Sequence, residues 1–314
     1  MIEKLRFDFM GRKYWWFALS GIVIITGLIS LATRGLNLSI DFKGGSRLTA
    51  KFSQKTNVNQ VRSLIAGAGY PSAVVQTISG GYYQVTLPSL QPSQEDAVDN
   101  ALNARFHLAE PASWNDVGPT FGRQVATSML EAVILAWVII IVYVSFRFEY
   151  KSAVATLVAL IHDLLVTVGV YSIVGREVTT ATVAAVLTIL GYSLYDTIIV
   201  FDRIRENSPK ARRGLYGQMV NSSIWEVMTR SIITTLLTLL PVACLLVFGG
   251  ETLKDFAFAL LVGITSGAYS SIFVAAPLLT MWKEREKRYR PQPVRVKGKG
   301  KAKAKAKTAK SLSQ

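Results

Sequence analysis

Three ionisable side chains sit where a soluble protein would place a core. His162 and Asp163 lie in ALIHDLL, and Asp196 lies in TILGYSLYDTIIVFDRIREN. An acid at the centre of a membrane helix costs about 2.5–3.5 kcal/mol on insertion scales, so such groups face a bundle interior or a wet cavity. Carboxylates withdrawn from water hold a proton more readily, and an imidazole titrates near neutrality. The set therefore suits loading and release of a proton, with helix–helix hydrogen bonding as the structural alternative. Arg230 begins a later apolar run. It reads either as a snorkelling anchor or as a partner that holds Asp196 ionised.

Other chemistries are missing from the sequence. The other intramembrane acid, Asp163, is preceded by Leu160-Ile161-His162 and not by the Gly-x-Gly of intramembrane aspartyl proteases. No Walker lysine loop, HExxH or GxSxG element occurs, so the chain does not power itself with ATP. The single cysteine, Cys244, excludes an intramolecular disulfide and a CxxC site and reads as a small packing residue.

The elements that must position these groups are apolar runs long enough to cross a hydrocarbon core of roughly 30 Å. They cover 14–33, 125–146, 153–174, 179–201, 231–248 and 256–282. The first reads as an uncleaved anchor, being longer than a signal-peptide core and followed by further spans. Lys and Arg alternate along the connections. Lys4, Arg6, Arg12 and Lys13 precede the first run; Arg147 and Lys151 follow the second; Arg203, Arg205, Lys210, Arg212 and Arg213 follow the fourth. The remaining short loops carry only Arg176 and Lys254. This pattern predicts both termini in the cytoplasm, with Trp15, Trp16 and Trp282 at the interfaces. His162 and Asp163 then lie about 15 Å, and Asp196 about 9 Å, from the cytoplasmic side at 1.5 Å per residue. Asp163 and Asp196 are expected to line one cavity.

The polar segment 34–124 falls on the other side as a small extracytoplasmic domain. LSIDFKGGSRLTAKF reads as strand, with Gly44-Gly45 marking a turn or bulge. A helix is expected over 57–69, with Val58, Val61 and Ile65 on one face. AVVQTIS and YYQVTLP flank Gly80-Gly81 as a hairpin. Ser93–Phe106 reads as a helix capped by Ser93, with Ala97, Ala101 and Leu102 apolar. That order suggests a ferredoxin-like α+β sandwich. Gly263 and Gly267 form a GxxxG that permits close helix packing, within the chain or with another subunit, and Gly249-Gly250 reads as a turn. Residues 283–314 are a lysine-rich, low-complexity tail that carries much of the net charge of +15. It is expected to be a disordered cytoplasmic segment, either a solvated tail or a ligand for anionic lipid or the ribosome.

Taken together, these residues resemble the SecF family, the smaller membrane subunit of the SecD–SecF protein-export factor in the RND superfamily. The likeness rests on LSIDFKGGSRL (Asp41, Gly44, Gly45), VGPTFGRQV, His162-Asp163, GYSLYDTIIVFDRIREN (Gly191, Tyr195, Asp196, Asp202, Arg203), TRSIITTLL (Arg230) and VFGGETLKDFAFALLVGITSGAYSSIFVAAPLL (Gly249, Gly250, Gly263, Gly267). It covers nearly the whole chain except the tail. The resemblance implies a non-enzymatic subunit of the bacterial plasma (inner) membrane, without a cofactor and driven by the proton gradient. It implies pairing with SecD in a twelve-helix unit that assists the SecYEG channel, with YajC and YidC as further partners and unfolded preprotein as cargo. Asp196 and Arg230 fall on the family's proton-coupling positions. Tyr195 stands where the family usually has Asn. Two other classes share this topology: a purely structural assembly subunit, and an RND-type exporter of small solutes or lipids. For the exporter, segment 34–124 looks too short to build a ligand pocket.

Overall fold

A computed structural model describes residues 7–212, 214–286 and 288–289. Six stretches of it are long and apolar enough to cross a membrane. They are α1 (Lys13–Arg34), α5 (Pro119–Arg147), α6 (Tyr150–Val174), α7 (Thr180–Asn207), α8 (Tyr216–Phe248) and the pair α9 (Glu251–Ser270) and α10 (Ala276–Lys283), joined by a π turn at Ser271–Ala275. The segment expected as a disordered tail from 283 starts ordered: Lys283 ends α10, Glu286 pairs with Lys151, and Tyr289 is buried against Tyr216. The basic tail beyond residue 289, together with Lys4, Arg6 and Arg213, lies outside the described residues.

Several helices outrun their apolar cores. α8 begins at Tyr216 rather than at 231, so Arg230 sits in mid-helix and not at a helix start. The reason is amphipathicity: Tyr216, Val220, Ser223 and Ile224 are buried along one face of a stretch interrupted by Gln218, Asn221, Ser222 and Glu226, and a hydropathy run misses such a turn-by-turn stripe. α5 likewise starts at Pro119, where proline suits the first helical turn.

α6, α7 and α9 form the centre of the bundle, with α9 packed on α7, α8 and α6, and α1 packed on α6. Small residues set these contacts. A Cβ on Gly27 would lie 2.8 Å from the Gly169 Cα, so α1 and α6 touch backbone to backbone. Gly263 and Gly267 face α7, where added Cβ atoms would meet the Ile189 side chain at 2.2 Å and the Ser193 Cβ at 2.9 Å. The GxxxG therefore works within this chain. Apolar side chains of α5 and α8, such as Ile139, Leu236 and Leu240, point away from the bundle. Cys244 shares that exposed side, so it is not a packing residue of this chain's core. Trp15 is exposed, whereas Trp16 packs its ring 4.5 Å from that of Phe273.

Between α1 and α5 lies an α+β domain. The chain runs β1 (Asn37–Leu38), α2 (Ile40–Lys43), β2 (Gly45–Lys51), α3 (Val58–Gly67), β3 (Val74–Ile78), β4 (Tyr82–Leu87), α4 (Pro92–Phe106) and β5 (Ser113–Val117). β2 to β5 form one antiparallel sheet in the order β3-β4-β2-β5, with Gln76 opposite Gln84 across the hairpin. Leu48, Val61, Ile65, Val85, Val98 and Leu102 fill the core between sheet and helices. The IDFK stretch is a helical turn and not strand, because the Ser39 side chain caps it by accepting from the Asp41 N–H. α4 starts one residue before Ser93. Gln91 and Gln94 cap its N-terminus reciprocally, and its buried stripe is Val98, Leu102 and Phe106 rather than one through Ala97. β1 pairs in parallel with β6 (Glu177–Val178), which lies between α6 and α7. Two-residue strands carry no alternation, so this pairing was not legible in the sequence.

Candidate functional site

His162 and Asp163 project from α6 into the centre of the bundle, and both are buried. Asp163 is enclosed by hydroxyls. Ser266 donates to Oδ1 at 2.6 Å, while Ser193 and Ser270 donate to Oδ2 at 2.5 and 2.8 Å. The His162 Nδ1 lies 3.1 Å from Oδ1. These donors come from α6, α7 and α9, so one carboxylate ties three helices together. The Gly267 contact with Ser193 brings α7 close enough for this. The π turn widens the helix where the consecutive residues Ser270 and Ser271 are both fully buried. Four donors on one carboxylate offset much of its desolvation cost.

The imidazole continues the network outward. His162 Nε2 is 3.0 Å from the Ser20 hydroxyl, which lies 3.3 Å from the Tyr269 hydroxyl, and Tyr269 donates to the Trp16 carbonyl at 3.0 Å. An imidazolium donates from both nitrogens. With His162 protonated, the donors run unbroken from His162 to Asp163 on one side and through Ser20 and Tyr269 to Trp16 on the other.

Asp196 is built differently. It is 4% exposed, and among the described residues its carboxylate accepts one hydrogen bond, at Oδ1 from Ser231 of α8 at 2.6 Å. The Ser271 hydroxyl lies beside it but donates to the Gly267 carbonyl at 2.9 Å. Oδ2 is buried without a hydrogen-bond partner among the described residues. Polar neighbours lead from it to Asp163. Ser193, one helical turn before Asp196, bonds Asp163, and the adjacent Thr197 shares a 2.8 Å hydrogen bond with Ser271. The two acids thus belong to one polar core, joined by hydroxyls.

Arg230 does not pair with Asp196. Its Nη2 donates to the Tyr195 hydroxyl at 3.0 Å, and both residues face outward. The cause is helical geometry: Tyr195 and Asp196 are consecutive and point about 100° apart, so Arg230 reaches one face of α7 and Ser231 the other. Ala184, Thr188 and Gly191 continue the Tyr195 face as an exposed stripe of small residues.

The remaining motif residues lie at the two ends of the bundle. At one end Asp202 accepts from Arg147 of α5 at 3.0 Å, and Arg203 bonds Glu206 at 2.6 Å and also reaches Glu226 of α8. At the other, Gly249 and Gly250 make the turn between α8 and α9. Asp41 and Gly44-Gly45 join the α+β domain to the bundle there, and Arg47 of β2 forms an ion pair with Glu177 at 2.5 Å. Burial pushes the Glu177 carboxyl up from its ordinary range, with Arg47 opposing. Sequence reading placed the charged residues but not Ser20, Ser193, Ser231 and Tyr269. Hydroxyls are common in membrane helices, and nothing local marks the ones that meet an acid. Among the described residues no cluster of His, Cys, Asp and Glu suits a metal ion.

Comparison with known proteins bears on this arrangement. Residues 97–285 match the family "Protein export membrane protein SecD/SecF, C-terminal", and residues 29–56 match the "SecD/SecF GG Motif". The chain is similar to the protein translocase subunit SecF of Streptomyces coelicolor, 38% identical over 90% of this chain and 78% of that one. It is similar to the same subunit of Acidaminococcus fermentans, 40% identical over 90% and 99%. The crystal structure of SecDF from Thermus thermophilus, described as a translocon-associated membrane protein, superimposes with a TM-score of 0.82 at 36% identity. The match covers 89% of this chain and 39% of that longer one.

Proposed function

The chain belongs to the SecF family of protein-export membrane proteins, and from that premise we propose that it couples the proton gradient to export, with Asp196 as the group that takes up and releases the proton. It is a polytopic membrane protein of the Sec export machinery. The finer reading has it act with a SecD partner beside the SecYEG channel, in the bacterial inner membrane with both termini cytoplasmic. Its β-α-β-β-α-β domain is then extracytoplasmic and ferredoxin-like.

The observation that carries the reading is the orphaned Oδ2 of Asp196. Protonating Asp163 breaks bonds that tie three helices. Protonating Asp196 breaks none, because Ser231 goes on donating to Oδ1 and the new O–H seeks an acceptor on the other oxygen. A buried carboxylate with nothing to lose on protonation can change charge while the bundle stays folded. The change of charge then biases how α7 sits against α8. Moving one charge through 100 mV is worth about 2.3 kcal/mol, enough to shift a two-state equilibrium nearly fiftyfold.

The outward faces support a partner. A guanidinium turned away from its own bundle, among exposed Ile232, Ile233 and Leu236, is costly in lipid. Covered by a second six-helix half, Arg230 and Tyr195 meet polar groups, and the Ala184–Thr188–Gly191 stripe lets a partner helix approach closely. The same faces favour a second reading, that of an assembly subunit whose charges serve contacts alone.

The test is preprotein export into vesicles holding this chain and its SecD partner, with and without a proton gradient. In Asp196→Asn the gradient-stimulated component is expected to disappear while the complex assembles normally. Wild-type stimulation in that variant overturns the reading. If Asp196→Asn keeps stimulation and Arg230→Ala loses the partner, the assembly reading stands.

A further inference from the structure

The two-glycine stretch and the buried acids lie far apart, yet one side chain ties that stretch to the helix that carries Asp196. Thr180 is the first residue of α7, and its backbone N–H and hydroxyl both donate to Asp41 Oδ2, at 3.2 and 3.4 Å. Thr179 already caps α7 in the ordinary way by accepting from the Thr182 N–H. Asp41 is therefore a second cap, supplied by another element. It gives an N-terminal N–H the partner the helix cannot provide and places a negative charge at the positive end of the dipole. Sixteen residues along the same helix, about 24 Å at 1.5 Å per residue, is Asp196.

α2, which carries Asp41, is gripped on its other side. A Cβ on Gly44 would lie 2.7 Å from the Pro119 Cα, and one on Gly122 would lie 2.9 Å from the Gly44 N. α2 and α5 thus touch through backbone, and Gly44 is also at φ +75°, which L side chains rarely adopt. The next residue, Gly45, opens β2 and pairs with Val117, the end of β5. One helical turn is consequently wedged between the starts of α5 and α7 and runs straight into the central strands of the domain.

We infer that Asp41 is a positioning residue of export: it fastens the α+β domain to the N-terminus of α7, so that displacement of the helix bearing Asp196 carries the domain with it. The two-glycine stretch is the tight joint that lets α2 reach both helices. This inference rests on the proposed coupling role of Asp196. It adds the route by which a shift in the bundle reaches the domain. The β1–β6 ladder and the Arg47–Glu177 pair land on the same α6–α7 connection and reinforce the joint.

The test uses the complex in vesicles, in a Cys244→Ser background. Asp41→Ala is expected to reduce gradient-stimulated export at least fivefold, and Asp41→Asn, which keeps an oxygen acceptor, by less than twofold. Leu38 and Val178 are opposite each other in the parallel ladder, so a Leu38→Cys/Val178→Cys disulfide ties the domain to the entrance of α7 without Asp41. Its oxidised form is expected to restore export to Asp41→Ala and to leave the parent protein active, with reductant reversing the rescue. The thermal unfolding midpoint of Asp41→Ala in detergent, expected to match that of the parent, separates a loosened joint from a misfolded chain. If Asp41→Ala does not fold, Asp41→Asn and Thr180→Val with the same disulfide carry the test. Wild-type stimulation without Asp41, a loss the disulfide does not rescue, or a parent protein inactivated by the disulfide each overturns the inference. Asp196→Asn, run alongside, separates the two claims. Stimulation surviving there while Asp41→Ala fails and is rescued leaves the joint standing and moves the proton site elsewhere.

Discussion

Asp163 and Asp196 are carboxylates in one bundle core, both almost fully withdrawn from solvent, and they are held in opposite ways. Asp163 has three serine hydroxyls and an imidazole around it. Among the described residues Asp196 accepts from one hydroxyl, on one oxygen. A saturated acid acts as a clasp: its charge is neutralised by geometry, and any change of state loosens the helices. An under-saturated acid is poised, since its protonation removes a burden rather than a bond. Burial alone does not tell these roles apart, whereas the count of donors does.

The largest effect expected from this contrast is that of Asp163→Ala. Removing the clasp strands Ser193, Ser266, Ser270 and His162, and loss of one partner from a buried charged network costs about 3–5 kcal/mol. A marked drop in the midpoint of thermal unfolding in detergent is expected. A drop no larger than that of Asp196→Asn would break the comparison. Next comes Gly267→Val, whose side chain must push Ser193 away from α9. Overpacking of this kind costs about 1–3 kcal/mol, and Gly191→Val, where a Cβ meets nothing within 4 Å, is the control expected to keep the chain's own stability.

Ser231→Ala sharpens the Asp196 side. It removes the bond to Oδ1 and leaves a buried acceptor unsatisfied, so stability should fall by about 1–3 kcal/mol, while the dependence of export on pH shifts. An unchanged profile would mean that Ser231 does not govern the protonation of Asp196. The smallest effect is expected in the α+β domain. Burial raises the Asp99 carboxyl above its ordinary range, against a hydrogen bond from the Trp114 indole. The folded state then binds that proton more tightly than the unfolded state, so the contribution of Asp99 to stability falls as pH rises from about 3.8 through the raised value. Asp99→Asn should remove that decline, read from Trp114 fluorescence during unfolding at successive pH values. An identical decline in the variant would assign it to the other acids of α4.

Much of this arrangement was legible beforehand. Uncharged runs announced the six spans, and His162, Asp163 and Asp196 stood out because charge in an apolar run has few explanations. The hairpin at Gly80-Gly81 and the stripe Val61–Ile65 were plain from turn chemistry and period. What failed depended on partners remote in the chain. Arg230 read either as a snorkelling anchor or as the partner of Asp196, and the direction in which each side chain leaves its helix put it on Tyr195 instead of Asp196. The IDFK stretch looked like strand until Ser39 capped it, and α8 extends some fifteen residues beyond its apolar run because one amphipathic face packs in the bundle.

By itself the sequence determined that the chain is a six-span membrane protein with a small α+β domain after the first span, and that it buries acids in its helices. Transfer free energy depends on which side chains occur in a run, and that is written locally. Only the tertiary structure decided which acid is saturated and which is left open. It also decided that a domain carboxylate caps α7 and that the arginine faces outward. Those outcomes depend on hydrogen bonds between residues from thirty to nearly one hundred and forty positions apart, and their geometry exists only once the helices have packed.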